Sequence, residues 1–390
     1  MLNWSNIEKF LFFLYISMFM VTLGVGIYNP LVPLYAKILG ATYFDLGLIG
    51  MVFALPYAVF PIFVGSLTDR FGRNPFFVFG VLLTSFSTFL FTLATKVMDI
   101  VLIRIVGGIA YSFLWPVAEA IITDVTPTEK RTKILGRFSF FWALGFLVGP
   151  FFGGIIVEKF GFYILFMVAL TIGLTAGVIA SYGFIRKGKG YRKKSIKIFG
   201  IKNYGKFGFK KFLPLYLVIL VYSIVIGLIF SIFPVYANSF GVTSFYVGIL
   251  FTIFGVARTV TFLQSGNLSK IFNEKMVVVL GLIILSISLG LMGFIKTLPF
   301  FALSIALIGL ATGMLSPVTV SLASKMAEKE RVGVTLGFTE ACFGLGMTIG
   351  PITGGLMAEI LGVESPYLVI SLLSFMTSIF LVGKKYFGNL

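Results

Sequence analysis

Gly65-Ser66-Leu67-Thr68-Asp69-Arg70-Phe71-Gly72-Arg73 is a short charged interruption between two apolar stretches, about 43–67 and 75–94. Each flank is long enough to cross a bilayer, which takes roughly 20 apolar residues as a helix. A link this short, with three charges and a glycine at its end, reads as a tight turn at the membrane surface. Its Asp and Arg side chains suit charge-assisted hydrogen bonds at the ends of the two helices. Outward from this turn the chain is a succession of similar stretches.

Hydropathy marks twelve of them, at about 10–36, 43–67, 75–94, 99–123, 134–157, 162–185, 212–238, 244–267, 276–295, 298–323, 332–357 and 366–383. The first shows no clear cleavage site and outruns the apolar region of a signal peptide, so it reads as a retained helix. The predicted fold is therefore all-α and integral to the membrane. Composition agrees: of 390 residues 58% are hydrophobic and 12% charged, with a mean hydropathy of +1.05. Soluble domains carry about a quarter charged residues to solvate their surfaces.

The same composition removes several chemistries. The chain has no histidine, which excludes imidazole acid–base catalysis and His-ligated metal or haem. A single cysteine, Cys342, makes neither an intramolecular disulfide nor a thiolate zinc site. No catalytic residue, cofactor or metal is expected. Gly183 to Lys189 spells the start of a phosphate-binding loop, but Gly190 stands where a Ser or Thr should bind magnesium.

A net charge of +17 would suggest nucleic acid in a soluble protein; here its distribution points to topology instead. With the N-terminus inside, 25 of the 31 Lys and Arg fall on cytoplasmic segments, four fall outside, and Arg104 and Arg258 lie within spans. Both termini are therefore expected in the cytoplasm of a cell-membrane protein. The one long connection, 186–211, holds eleven Lys and Arg and no acid, interleaved with Phe199, Tyr204, Phe207 and Phe209. It reads as an interfacial linker on anionic lipid, between units 1–185 and 212–390.

Those two units repeat. A shift of 201 residues lays Pro33, Tyr35 and Ala36 on Pro234, Tyr236 and Ala237, and Gly40, Phe44 and Gly47 on Gly241, Phe245 and Gly248. The same shift pairs Gly65, Leu67 and Phe71 with Gly266, Leu268 and Phe272, Gly108 and Pro116 with Gly309 and Pro317, and Glu129 and Gly136 with Glu330 and Gly337. Six spans per unit is an even number, so both halves share one orientation. Two such bundles related by an axis along the membrane normal would leave a seam near the midplane, an architecture suited to alternating access.

Span five contains Gly145, Gly149, Pro150, Gly153 and Gly154, and span eleven repeats the pattern as Gly346, Gly350, Pro351, Gly354 and Gly355. Small residues at this spacing clear a face for close helix packing, and each proline removes a backbone bond. In span four, Arg104, Gly108, Tyr111, Trp115 and Glu119 recur at intervals of 4, 3, 4 and 4 and share one helical face. An Arg or Glu facing lipid is costly, so this face is expected to line water or the bundle interior. Arg258 in span eight and Glu340 in span eleven lie at similar depth in the second half, as a plausible pair. Tyr28 and Asn29 in span one, Tyr222 in span seven, and Thr312 and Ser316 in span ten are further polar candidates.

The turn at Gly65–Arg73 resembles the G-x-L-x-D-R-x-G-R signature of the major facilitator superfamily, with all six fixed positions matched. The resemblance spans essentially the whole chain. It implies a gate or latch formed by Gly65, Asp69, Arg70, Gly72 and Arg73, with Asp124 placed to reach Arg73. The second copy, Gly266 to Lys275, lacks the Asp and both motif arginines, so the latch is expected mainly on the N-terminal side. The span-five motif resembles that of the superfamily's proton-coupled antiporters, and Arg104 matches the family's span-four arginine, associated with substrate or proton coupling. Span one holds no acid between Phe10 and Ala36, unlike exporters that keep a carboxylate there.

These features lead to a secondary transporter, most like the multidrug and small-molecule exporters. It would move an amphipathic or hydrophobic solute by alternating access, with protons as coupling ion. A monomer is expected, with no nucleic-acid partner. Import or uniport of a small organic anion is also compatible, because Arg104 and Arg258 could bind a carboxylate. A receptor or lipid scramblase would be the non-transport alternative. Asp45 and Asp99 fall at the outer ends of their spans, which leaves Glu119 and Glu340 as the carboxylates well inside predicted spans and hence the expected proton carriers.

Overall fold

The computed structural model describes residues 4–185, 209–327 and 332–383, and every regular element among them is helical. Most of the basic connection, 186–208, lies outside the described residues, as does Glu330. Among the described residues ten helical runs are long and apolar enough to cross a membrane. Two of these, Glu129–Phe184 and Ser244–Phe294, contain 56 and 51 residues. At 1.5 Å per residue each far exceeds the ~30 Å hydrocarbon core. Each is broken inside, at Gly161 (φ 78°, ψ 177°) and Asn273 (φ 57°, ψ 159°), which makes twelve spans.

In chain order the first six spans are α1 (Trp4–Tyr28) continued by a 3-10 turn and α2 (Val32–Ile38), α3 (Tyr43–Phe71), α4 (Arg73–Phe91), α5 (Val97–Ser112) with α6 (Trp115–Val125), and the two parts of α7 (Thr128–Ile185). The second six are α8 (Phe209–Ser231) with α9 (Phe233–Ser239), the two parts of α10 (Ser244–Phe294), α11 (Leu298–Met326), α12 (Val332–Leu361) and α13 (Ser365–Val382).

Spans one, four and seven are not continuous, in contrast to the hydropathy reading. Each changes helix at a proline: Pro30 in the 3-10 turn, Pro116 at the start of α6 and Pro234 at the start of α9. Proline has no N–H to give the preceding turn and fits the first turn of a new helix. The start of α5 is set by Asp99, whose carboxylate accepts the Thr95 and Lys96 backbone N–H at 2.9 and 3.1 Å. Lys96 stands at the N-cap, but its ammonium accepts no hydrogen bond, so the Asp99 carboxylate alone caps this end.

The chain resolves into two compact units, one formed by Met1–Leu39 and Val52–Phe199, the other by Gly40–Met51 and Gly200–Leu390. In the first, α7 packs along α1 and α4; in the second, α10 packs on α11 and α13, and α12 on α8. Hydroxyls inside both units return to their own helix, as Thr84 does to the Gly80 carbonyl and Ser223 to that of Ile219. Such back-bonding satisfies polar groups where lipid offers no partner. Large apolar side chains such as Phe63, Leu263 and Phe294 stay exposed at 62%, 73% and 76%, as a lipid-facing surface requires.

The internal repeat is written into the backbone. Among the described residues six have positive φ: Gly40, Gly72 and Gly161, then Gly241, Asn273 and Gly362. Each of the second three stands 201 positions after its counterpart. Contacts follow the same register. Tyr35 donates its hydroxyl to the Phe91 and Ala94 carbonyls, and Tyr236 donates to Met292, the counterpart of Phe91. Gly108 lies against the Phe53 carbonyl, and Gly309 against that of Phe254.

Candidate functional site

The charged turn between α3 and α4 forms a compact ion-pair cluster. Gly72 (φ 98°) turns the chain so that Arg73 starts α4 while Asp69 ends α3. The Arg73 guanidinium places Nη2 at 2.9 Å from Asp69 and Nη1 at 2.9 Å from Asp124 on α6, and it also donates to the Ala120 carbonyl. A cation opening a helix meets the wrong end of the dipole, and the two carboxylates offset this. Arg70 lies outside the cluster, over the Phe71 ring at 5.2 Å, and forms no ion pair among the described residues. Gly65 serves no close approach, since a Cβ there would meet nothing within 4 Å.

The second half corrects one expectation. Glu274 and Lys325 stand 201 positions after Arg73 and Asp124, and they form an ion pair of 3.0 Å. Ser321, the counterpart of Ala120, donates its hydroxyl to Glu274 at 2.8 Å. Asn273 takes the place of Gly72, and its side chain accepts the Met276 backbone N–H at 2.9 Å. Asn tolerates the left-handed region better than most residues because its side chain bonds locally. The motif residues are lost in the second copy, but a bond between the same two positions survives with its charges exchanged.

In the first unit the span-four stripe does not run along one helix, because Phe113 and Leu114 separate α5 from α6 ahead of Pro116. Its upper residues face the unit's interior. Arg104 donates from Nη1 to Asn29 Oδ1 at 2.7 Å, and its guanidinium sits 4.0 Å from the Phe53 ring centre. Its Nε is buried and without a hydrogen-bond partner. Tyr28 and Tyr111 are buried. The Tyr111 hydroxyl accepts the Trp142 indole N–H at 3.1 Å, and its ring contacts Phe53, Tyr57 and Phe146. Trp115 packs on Trp142 and Phe138, at 4.9 and 5.1 Å. Trp115 and Glu119, on α6, are half-buried. The sequence reading missed Phe53, Tyr57, Trp142 and Phe146, which build this aromatic wall.

In the second unit Arg258 lies over Phe254 at 5.9 Å. Glu340 is exposed on α12, and no hydrogen bond or ion pair joins it to Arg258 among the described residues. The expected direct pair is therefore not made. Both instead belong to the surroundings of the buried Tyr222, with Ser316 and Thr319 of α11. Thr312 spends its hydroxyl on the Ile308 carbonyl of its own helix.

The glycine motifs are packing faces. Gly145, Gly149 and Gly153 of α7 lie on Thr22, Gly26 and Ile27 of α1, where a Cβ would collide with backbone or side chain. Gly154 is buried beside Gly153. In the second unit, Gly346, Gly350 and Gly354 lie on Ser223, Ile224 and Leu228 of α8. Pro351 and Gly355 face the start of α3 instead, against Gly47, Gly50 and the Tyr43 carbonyl. There the Tyr43 N–H is accepted by Glu359 at 2.9 Å. Among the described residues no group of three His, Cys, Asp or Glu side chains is placed to hold a metal.

A profile of the Major Facilitator Superfamily matches residues 14–212 and 215–388. The chain is 28% identical to an MFS-type transporter of Methanocaldococcus jannaschii over 96% of this chain and 98% of that protein. It is 29% identical to multidrug resistance protein 2 of Bacillus subtilis, covering 93% and 92%, and 26% identical to the quinolone resistance protein NorA of Staphylococcus aureus, covering 98% of both. Among solved structures, a bacterial homologue of the lysosomal transporter Spinster aligns with a TM-score of 0.78 at 15% identity over 95% of both chains. The nucleoside transporter NupG aligns at 0.77 and 12% identity, over 96% of this chain and 98% of that one. With twelve membrane spans, a duplicated six-span unit and a profile match along nearly its whole length, this chain belongs to the Major Facilitator Superfamily of membrane transporters.

Proposed function

We propose that the protein exports a small amphipathic or hydrophobic solute across the cell membrane by alternating access, exchanging it for protons, as a monomer with both termini in the cytoplasm. The observation that carries this reading is Glu340, a carboxylate within a membrane span, exposed and without an ion pair among the described residues. A charged carboxylate cannot rest against lipid cheaply, so Glu340 faces water at some stage of the cycle. A carboxyl whose access to water and to a guanidinium changes between two states binds a proton in one and releases it in the other. Arg258 and Tyr222 are the groups at hand for that exchange. Glu119 is the second candidate carrier. The relatives named for multidrug and quinolone resistance support the efflux direction.

In this reading the units 1–185 and 212–390, joined by the basic segment 186–211, are the parts that move. The Arg73 cluster and the Glu274–Lys325 pair act as latches whose breaking accompanies a change of access. The test is a solute panel measured in proteoliposomes with and without an imposed proton gradient. Uptake against the solute's own gradient only when protons run the other way supports proton exchange. Equal flux in both conditions refutes coupling. Binding without counterflow would return the chain to the receptor reading.

A further inference from the structure

We propose that the first unit holds one resident water molecule between α1, α4 and α7, hydrogen-bonded to the hydroxyls of Thr84, Ser85 and Thr88. It extends a hydroxyl chain that starts at Tyr28.

The three helices enclose a small cavity at the level of Gly24 on α1, Thr84, Ser85 and Thr88 on α4, and Ala169 and Gly173 on α7. All six residues are buried. About 10 Å³ is open to the centre of a water-sized sphere, which is the threshold for one water and too little for a solute. The three hydroxyls on the wall decide what fills it, because cavities that stay dry are apolar ones.

These hydroxyls have bonding capacity to spare. Thr84 donates to the Gly80 carbonyl, Ser85 to that of Val81 and Thr88 to that of Thr84, at 2.8, 2.9 and 2.9 Å. A hydroxyl that donates once still has two lone pairs with which to accept a hydrogen from water. The Thr84 carbonyl is also oversubscribed. It faces the helical N–H of Thr88, the Thr88 hydroxyl and the Ser87 hydroxyl at 2.8 Å, three donors for two lone pairs. Of the two hydroxyls, that of Thr88 lines the cavity and can turn into it. A water there accepts from Thr88 and donates to Thr84 and Ser85, within the two to four bonds a buried water keeps. Tyr28, one turn beyond Gly24 on α1, is buried and brings its hydroxyl to that of Thr88. In the order Tyr28, Thr88, water, each bond polarises and strengthens the next.

The internal repeat supplies the comparison. The same place in the second unit, 201 positions on, is occupied by Val225, Leu285, Ser286, Leu289, Ile370 and Ser374. Gly24 and Ala169 give way to Val and Ile, Thr84 and Thr88 to Leu, and Tyr28 to Ile229. Val225, Ile229, Leu285 and Leu289 are 0% exposed and Ile370 4%. Ser286, the counterpart of Ser85, has the Ser371 hydroxyl on α13 at 3.3 Å, a partner that Leu170 denies to Ser85. The fold can therefore fill this space with hydrocarbon and pair its serine with a side chain, and in the second unit it does both. In the first unit smaller residues and added hydroxyls stand together, which is costly unless water meets the hydroxyls.

The test is water-edited solid-state NMR on the full-length protein in lipid bilayers, with threonine labelled. Magnetisation from water should reach the side chains of Thr84 and Thr88 faster than that of Thr22. Thr22 is at least as deeply buried, and its hydroxyl is bound within α1. Thr84→Leu, which copies the second unit, should abolish the fast transfer to Thr88. Thr88→Val, which removes the hydroxyl that donates to the water, should abolish it at Thr84. Transfer to Thr84 and Thr88 no faster than to Thr22, or fast transfer that survives both substitutions unchanged, overturns the inference. The wild-type comparison decides alone should either variant fail to fold.

Discussion

Glu274 and Lys325 form a 3.0 Å ion pair at the positions that Arg73 and Asp124 occupy one repeat earlier, with acid and base exchanged. An ion pair can be inverted in place because the attraction depends on the product of the charges and not on which partner carries which sign. Conserving the bond while exchanging its ends keeps α10 tied to α11 as α4 is tied to α6.

This gives a prediction about stability. Lys325→Glu or Glu274→Lys alone places like charges about 3 Å apart and should lower the unfolding temperature of the detergent-solubilised protein. The double exchange should restore most of the loss. Lys325 is 54% exposed in its side chain and Glu274 15%, so the pair belongs near the surface range of about 0.2–1 kcal/mol. A double variant no more stable than the singles would contradict the pairing.

The glycines divide into two classes that the sequence motif does not distinguish. A Cβ at Gly153 would meet the Ile27 carbonyl oxygen, and one at Gly350 that of Ile224. Gly153→Ala and Gly350→Ala should therefore each destabilise by about 1–3 kcal/mol, the usual cost of overpacking. Gly65, a signature residue, has open space where its Cβ would stand. Gly65→Ala should be neutral to stabilising by up to about 1 kcal/mol, since Ala is the better helix former. Thermal unfolding of the three variants in one detergent checks the ordering.

The Lys296 ammonium, hydrogen-bonded to Glu364 between α10 and α13, holds that carboxyl below its ordinary 4.5. A depressed folded-state value means stability present above 4.5 and lost as pH falls through the lower folded value. Wild type should therefore unfold at a higher temperature than Glu364→Gln near neutral pH, and the gap should narrow as pH falls below 4.5. A gap independent of pH would remove the ion pair as its cause.

The twelve spans were legible because lipid imposes a length and an apolar composition that few other demands share. The repeat was legible from identities, which is also why the second ion pair was not. Matching by identity reads Glu274 for Arg73 and Lys325 for Asp124 as loss, and only a search for complementary pairs at both positions would find it. The breaks at Pro30, Pro116 and Pro234 carried a local signal that hydropathy averages away. The surroundings of Arg104 were half visible. A charge inside a span stands out, and Asn29 was a candidate, but the aromatic wall of Phe53, Tyr57, Trp142 and Phe146 did not. In a chain with 46 phenylalanines an aromatic residue at helical spacing says little about which surface it lines.

In the proposed cycle a carboxylate in α12, Glu340, couples solute movement to protons. The most direct measurement places wild type and Glu340→Gln in proteoliposomes and follows solute accumulation driven by an imposed pH gradient, alongside solute exchange at equal pH. Gln resembles the protonated acid but cannot release a proton. If Glu340 is the carrier, the variant loses gradient-driven accumulation while retaining exchange. Accumulation at the wild-type level with unchanged pH dependence, in Glu340→Gln and in Glu119→Gln alike, would contradict it.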